Sequence, residues 1–392
     1  MMNKILKKLF GDFKVEWKKL GEVFDIIAGG DVPKKALSKE KNNEYNIPIL
    51  SNGIGDKALY GWTNKAKITK PSLTISARGT IGWTSYQEKP FFPIVRLLVL
   101  IPKIKLNLKY AYYFMKTIEK NYNVSKNGIP QLTKPMIKDK LIPLPPLEVQ
   151  REIVKILDNF TELTAELTAE LTARKKQYEY YRDMLLTFND DEVEWKKLGE
   201  VFNLKNGYTP SKRNRKYWTN GDIPWFRMDD IRTNGRILDN ALQTVSESAV
   251  KGGKLFPANS IIIATSATIG EHALITVPYL SNQRFTNLSL KEKYQNKFDI
   301  KFLFYYSFLL GEWCKNNTTM SSFASVDMNG FRNFKIPIPP IEKQKEIVAI
   351  LDKFDTLTNS ISEGLPKEIE LRVKQYEYYR DKLLSFPKEN NE

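Results

Sequence analysis

The sequence predicts an α+β chain: two globular α/β domains separated by two long antiparallel coiled-coil helices, the halves related by an internal pseudo-two-fold repeat. Three observations carry this. The chain repeats itself, each repeat closes on a long stretch with apolar residues at helical spacing, and each repeat encloses a segment of short β-branched and aromatic runs.

The repeat is read directly from the letters. VEWKKLGEVF fills residues 15–24 and returns unchanged at 193–202. IPLPPLEVQREIVKILDNFTELT, from Ile142, returns as IPIPPIEKQKEIVAILDKFDTLT from Ile336, and KQYEYYRD, from Lys176, returns from Lys374. Three matches of this length in one order exclude coincidence. The stretch between the opening motif and the prolines differs in both length and sequence, so a frame was duplicated while its contents diverged.

The frame predicts helices. Pro145 and Pro146 suit a helix start, where a missing N–H costs nothing, and Glu148 complements the positive end of the dipole. Apolar residues then fall at Ile153, Ile156, Phe160, Leu163 and Leu167, and in the second copy at Ile347, Ile350, Phe354, Leu357 and Ile361. This 3-and-4 spacing is a helix-pairing seam. Each helix would run about 40 residues, or roughly 60 Å, too long to bury its stripe on one small domain, so the two are expected to pair. The first helix carries the repeat TELTAELTAELTA at 161–173, rich in strong helix formers. The second carries Gly364 and Pro366, which predict a kink or break.

The segments between, 25–141 and 203–335, contain runs such as SLTISARGTIGWTSY and IIIATSATIGEHALITV punctuated by Gly, Asn and Pro, and read as α+β domains with a curved sheet. ISARGTIG from Ile75 and ATSATIG from Ala264 align weakly and point to one ancestral fold. The expected boundaries are a first domain at 1–142, a first helix at 143–189, a second domain at 190–336 and a second helix at 337–392.

Lys plus Arg number 61 against 45 Asp plus Glu, a net charge of +16, which favours a polyanionic partner. A single cysteine, Cys314, and a single histidine, His272, exclude a disulfide framework and a Cys/His zinc site. Both are read as packed structural residues, and no metal site is expected. The basic N-terminus has no apolar core followed by small residues, and no run is long enough to span a bilayer, so a cytoplasmic location is expected. Phosphate-binding and dinucleotide-binding glycine loops are missing, as is the Asn-Pro-Pro-aromatic tetrapeptide of amino-methyltransferases. No catalytic residue is assigned.

Polar, basic and aromatic residues cluster in the variable segments: Arg78, Thr80, Trp83, Lys126, Asn127 and Gln131 in the first, and Arg213, Arg215, Lys216, Trp218, Arg227, Arg232 and Arg236 in the second. Arg, Lys, Asn and Gln read base edges through paired hydrogen bonds, and Lys, Arg and Thr hold phosphates, so these are the candidate DNA-binding residues.

WKKLGEVF opening each half, I-P-L/I-P-P-L/I-E-x-Q-x-E-I closing each variable segment, and a helix with an AELT repeat closely resemble the specificity subunits of Type I restriction-modification enzymes, over nearly the whole chain. The resemblance implies a non-catalytic DNA-binding subunit with two target-recognition domains, each reading one half of a split site in double-stranded DNA. It implies helices that serve as a spacer on which methyltransferase subunits, two of them, dock, with restriction subunits joining through that complex. S-adenosylmethionine, magnesium and ATP would belong to those partners, leaving no cofactor in this chain. Two other readings stay open at the level of residues: a two-headed regulatory DNA-binding protein, and a solitary methyltransferase or nuclease, against which the missing catalytic motifs argue.

Overall fold

The computed structural model describes residues 4–122, 124, 129–319, 324–360 and 362–387. The described residues form two compact units, one built from those up to Ala165 together with those from Leu371 onward, the other from Glu166–Glu370. Among them no helix is long and apolar enough to cross a membrane.

Unit 1 opens with α1 (Lys4–Phe10), β1 (Glu16–Lys19), α2 (Leu20–Val23) and β2 (Phe24–Ala28). It continues through β3 (Ile47–Leu50), β4 (Leu59–Thr63), β5 (Ser72–Ile75), β6 (Thr84–Gln87), β7 (Phe92–Pro93) and β8 (Leu98–Pro102) to α3 (Leu108–Ile118), α4 (Lys134–Lys138) and β9 (Leu141–Leu144). An antiparallel sheet in the order β2-β8-β5-β6 packs beside a smaller sheet, β4-β3-β7, in which β3 and β7 run parallel. Side chains alternate from Leu97 into β8: Leu98 and Leu100 join the core that holds Tyr110, Ala111 and Phe114 of α3, while Leu97, just before the strand, and Val99 turn to a second cluster with Leu50, Ile68 and Phe91. Asn107 caps α3 by accepting from the N–H groups of Lys109 and Tyr110. The opening and closing motifs meet, since β1 pairs with β9 and places Trp17 opposite Pro143.

The long helix α5 (Leu147–Leu185, 39 residues) follows β9 and has close to the predicted length. Unit 2 then repeats the plan with β10 (Glu194–Lys197), α6 (Leu198–Val201), β11 (Phe202–Asn206) and β12 (Ile223–Phe226), adding α7 (Met228–Asn234) and β13 (Ile237–Leu238). It proceeds through β14 (Thr244–Val245), β15 (Ser260–Ala264), β16 (His272–Ile275), β17 (Leu280–Ser281), β18 (Phe285–Leu290), α8 (Ile300–Asn316), β19 (Thr318–Thr319), β20 (Ser325–Val326), α9 (Met328–Asn333) and β21 (Lys335–Ile338). Its sheets, β11-β18-β15-β16-β13 and β14-β12-β17, reproduce those of unit 1 with β13 added at one edge. β10 pairs with β21 in the register of β1 with β9, setting Trp195 opposite Pro337.

The second long segment is broken, as Gly364 and Pro366 predict, into α10 (Ile341–Asn359) and α11 (Gly364–Leu383). Gly364 has φ +74°, and a Cβ there would run into the carbonyl oxygens of Thr356 and Leu357, so the turn that separates the helices requires glycine. Within unit 1 the start of α5 packs with the end of α11. Ile153 and Leu157 share a core with Leu383, and Phe160 stacks on Tyr379 with ring centroids 5.3 Å apart. Trp17, beside the entry to α5, donates its indole N–H to the Pro387 carbonyl beyond the end of α11, so the two segments run antiparallel. Unit 2 mirrors this with Ile347 and Leu351 of α10 buried with Leu186, and Phe354 stacked on Tyr178 and Tyr181 near the end of α5.

The predicted seam needs one correction. Ile350 is 41% exposed whereas Leu351 beside it is fully buried, because the buried face of α10 runs through Ile347, Val348 and Leu351. A wider stripe than strict heptads buries neighbouring positions where the helix also covers its own domain. Ile156, Phe160, Leu163, Leu167, Phe354 and Leu357 are half-buried, and Ile361 lies outside the described residues.

Candidate nucleic-acid interface

In unit 1 four loops are bolted together at the end of the sheets, and one asparagine does most of it. Asn52, just after β3, accepts through Oδ1 from the Ala77 N–H at 2.6 Å and donates through Nδ2 to the Val95 carbonyl at 2.8 Å. The turn after β5 is closed by Gly82 N–H donating to Ser76 O, with Gly79 at φ +67° and Gly82 at φ +91°. Leu132 N–H donates to Ala77 O, which brings Gln131 alongside. Gln131 Oε1 then accepts from Nε and Nη2 of Arg78 at 3.2 and 2.8 Å, and from Nη1 of Arg96 at 3.2 Å.

Unit 2 contains the same scaffold with different tips. The turn after β15 closes through Gly270 N–H to Ala264 O, with Ala267 at φ +64° and Gly270 at φ +88° in the places of Gly79 and Gly82. Val326 N–H donates to Thr265 O as Leu132 does to Ala77. Ser266, bridged to Ser325, stands where Arg78 and Gln131 stand in unit 1, and Arg284, in the turn before β18, occupies the place of Arg96. The fragments ISARGTIG and ATSATIG are thus one turn in two copies.

The remaining candidates are scattered. Thr80 is exposed on the turn, and Trp83 is half-buried beneath the Lys116 ammonium, 3.4 Å from its ring centroid, with Lys116 also paired to Glu119 at 2.7 Å. Lys126 and Asn127 lie outside the described residues. Arg213, Arg215 and Lys216 are exposed on one short turn, which Trp218 anchors by packing edge-on against Trp225 at 5.0 Å and donating to Ser211 O. Arg227 precedes α7, its N–H donating to Asp230 Oδ2 at 2.8 Å and its guanidinium 3.6 Å from Asp229. Arg232 is exposed on α7. Arg236 differs from the others: its guanidinium donates to Glu271 at 2.6 Å and to the His272 carbonyl at 3.0 Å and lies over Phe308, so its fork is spent inside the unit.

His272 and Cys314 are the packed residues the sequence predicts. Burial first, then the Arg236 charge, lowers the His272 pKa to about 3, so the ring is neutral, donating from Nδ1 to Gly270 O at 3.2 Å. Burial pushes the Cys314 thiol up to about 12.

Sequence reasoning missed Asn52, Arg96 and Arg284, which belong to no basic cluster, and it missed a pair of clamps. Asp158 on α5 accepts from the Tyr113 hydroxyl at 2.6 Å and pairs with Lys109 at 2.8 Å; Asp352 on α10 does the same with Tyr305 and Lys301, both at 2.7 Å. The signal was present as Lys and Tyr four apart in LKYAYYF and IKFLFYY, with Asp in both ILDNF and ILDKF. The glutamine of the proline motif is explained likewise: Gln150 accepts from Asn107 N–H and donates to Pro145 O, and Gln344 accepts from Asp299 N–H and donates to Pro339 O.

Comparison with known proteins agrees with this duplicated plan. The family model for the Type I restriction modification DNA specificity domain matches residues 14–174 and again 190–371. The EcoR124I/EcoR124II specificity subunit of Escherichia coli is 40% identical over 98% of this chain and 97% of its own length. The EcoprrI specificity subunit of Escherichia coli is 64% identical, over 51% of this chain and 52% of its own length. The crystal structure of the S subunit from M. genitalium shares the fold at 18% identity, with a TM-score of 0.57 over 99% of this chain and 100% of that one. The chain belongs to the specificity subunits of Type I restriction-modification systems, the non-catalytic members of complexes whose cofactors reside in the methyltransferase and restriction subunits.

Proposed function

We propose that residues 1–142 and 190–336 are two target-recognition domains, each reading one half of a bipartite site in double-stranded DNA, and that 143–189 and 337–392 supply the helices between them. The observation that carries this is the shared scaffold with unlike tips: Arg78 and Gln131 in unit 1, Ser266 and Ser325 at the matching places in unit 2. A frame that keeps its backbone bonds and changes its presented donors is suited to reading two different sequences. The exposed Arg213, Arg215, Lys216 and Arg232 suit phosphate contacts. Two methyltransferase subunits dock on the helices and restriction subunits join through them, in the cytoplasm where the DNA lies. Tyr180 and Tyr378 support this docking: they hold the same place in the duplicated KQYEYYRD motif and are 66% and 58% exposed, so packing within the chain does not account for them.

Exchange of domain 1 with that of another member, followed by methylation of a randomised target library by the reconstituted complex, tests the reading. The first half-site should change and the second should stay. Loss of both specificities together, or of neither, would overturn it.

A further inference from the structure

Taking unit 1 as a target-recognition domain, we propose that Arg78, Arg96 and Gln131 form a single guanine-reading element in its half-site. Two guanidinium groups converge on one carbonyl oxygen, Gln131 Oε1, and among the described residues neither pairs with a carboxylate. Two like charges held side by side are costly unless something rich in acceptors joins them. The amide orientation follows from the same contacts: three N–H donors aim at one atom of Gln131, which must be its oxygen.

With that oxygen used, what the trio has left is donors. Arg78 retains Nη1, Arg96 retains Nη2 and Nε, and Gln131 retains both hydrogens of Nε2. An all-donor face complements guanine, whose major-groove edge shows two acceptors, O6 and N7. It opposes the N4 amino group of cytosine and the N6 amino group of adenine, where donor would meet donor.

The backbone beneath Arg96 points the same way. Val95 and Arg96 both lie in the left-handed region, at φ +52° and +60°, where a β-branched residue is strained. The turn is held there by Val95 N–H to Gly30 O, Arg96 N–H to Gly29 O, Leu97 N–H to Ile94 O, and Asn52 Nδ2 to Val95 O. Gly29 is needed because a Cβ would lie 2.8 Å from the Ile94 backbone. A strained turn held from three sides places one long side chain where an unstrained loop would not. In unit 2 the matching Arg284 is outside the left-handed region, and Ser266 and Ser325 stand at the places of Arg78 and Gln131, so unit 2 lacks this trio.

The acceptors that satisfy these donors could belong to a guanine edge or to a phosphate, and one experiment separates them. Complexes carrying Arg78→Lys, Arg96→Ala or Gln131→Ala methylate a library in which the first half-site is randomised, over a range of salt. Arg78→Lys keeps the charge and loses the fork. The expected result is one guanine required by the parent and relaxed in each variant by roughly 10- to 100-fold, with the second half-site discriminated as before, which also shows that the chain is folded. A uniform loss across all sequences, or retention of every base preference, would overturn the proposal. If exchange of domain 1 still redirects the first half-site in the same assay, only this element falls and the two-domain reading stands.

Discussion

The Tyr305 hydroxyl donates to Asp352 at 2.7 Å from a ring that is otherwise fully buried, tying α8 of the second domain to α10. Asp352 also pairs with Lys301, and Tyr113, Asp158 and Lys109 repeat the arrangement in the first unit. Tyr305→Phe leaves the aspartate with its lysine and should cost about 1 kcal/mol. Asp352→Ala leaves the buried hydroxyl unpaired and should cost about 2–3 kcal/mol. Urea unfolding of the full chain checks the ranking, and the same order is expected for Tyr113→Phe and Asp158→Ala.

His272 should make the protein sensitive to acid. Its folded pKa, about 3, lies below the ordinary value of 6.5, so between these limits the unfolded chain takes up a proton that the folded chain refuses. Its contribution is complete above pH 6.5 and declines as the pH falls, by about 2 kcal/mol between pH 7 and 5. His272→Phe keeps an aromatic ring against Phe304 and Phe308 and removes the titration. Asp355, whose carboxyl burial raises, has the opposite dependence, but it is present in both proteins and cancels in their difference. Between pH 7 and 5 the parent should lose about 2 kcal/mol of unfolding free energy relative to the variant; parallel curves would exclude the lowered His272 pKa.

Gly270→Ala should destabilise the second domain by at least about 2 kcal/mol, because φ is +88° and the new Cβ would lie 2.5 Å from the Gly311 carbonyl oxygen. Gly235→Ala has the same φ penalty, +86°, with open space around the Cβ, and should cost less. Thermal unfolding of the two variants separates the steric share from the conformational one.

Tyr180→Ala and Tyr378→Ala should leave the chain folded, since both rings are mostly in solvent, yet each should weaken binding of a methyltransferase subunit by roughly tenfold or more, a hot-spot magnitude. Titration by light scattering or calorimetry reads both stoichiometry and affinity. Full affinity in both variants would remove these tyrosines from the docking surface.

The sequence by itself determined the duplication, the long helices and the break in the second. These are legible because they rest on local rules: a 3-and-4 apolar spacing, Pro-Pro at a helix start, and glycine with proline where a helix cannot continue. It also pointed to packing for His272 and Cys314, and the fold buries both. The pairing of β1 with β9, the phase of the buried face that leaves Ile350 exposed, and the sorting of the arginines were decided only by tertiary structure. Arg78 and Arg236 look alike in the sequence, yet one converges with Arg96 on Gln131 while the other is spent on Glu271 and the His272 carbonyl. The partner that fixes a guanidinium lies 35 to 53 residues away along the chain in these bonds. No local pattern encodes which loop a folded sheet brings beside another, and for these side chains that proximity sets the chemistry.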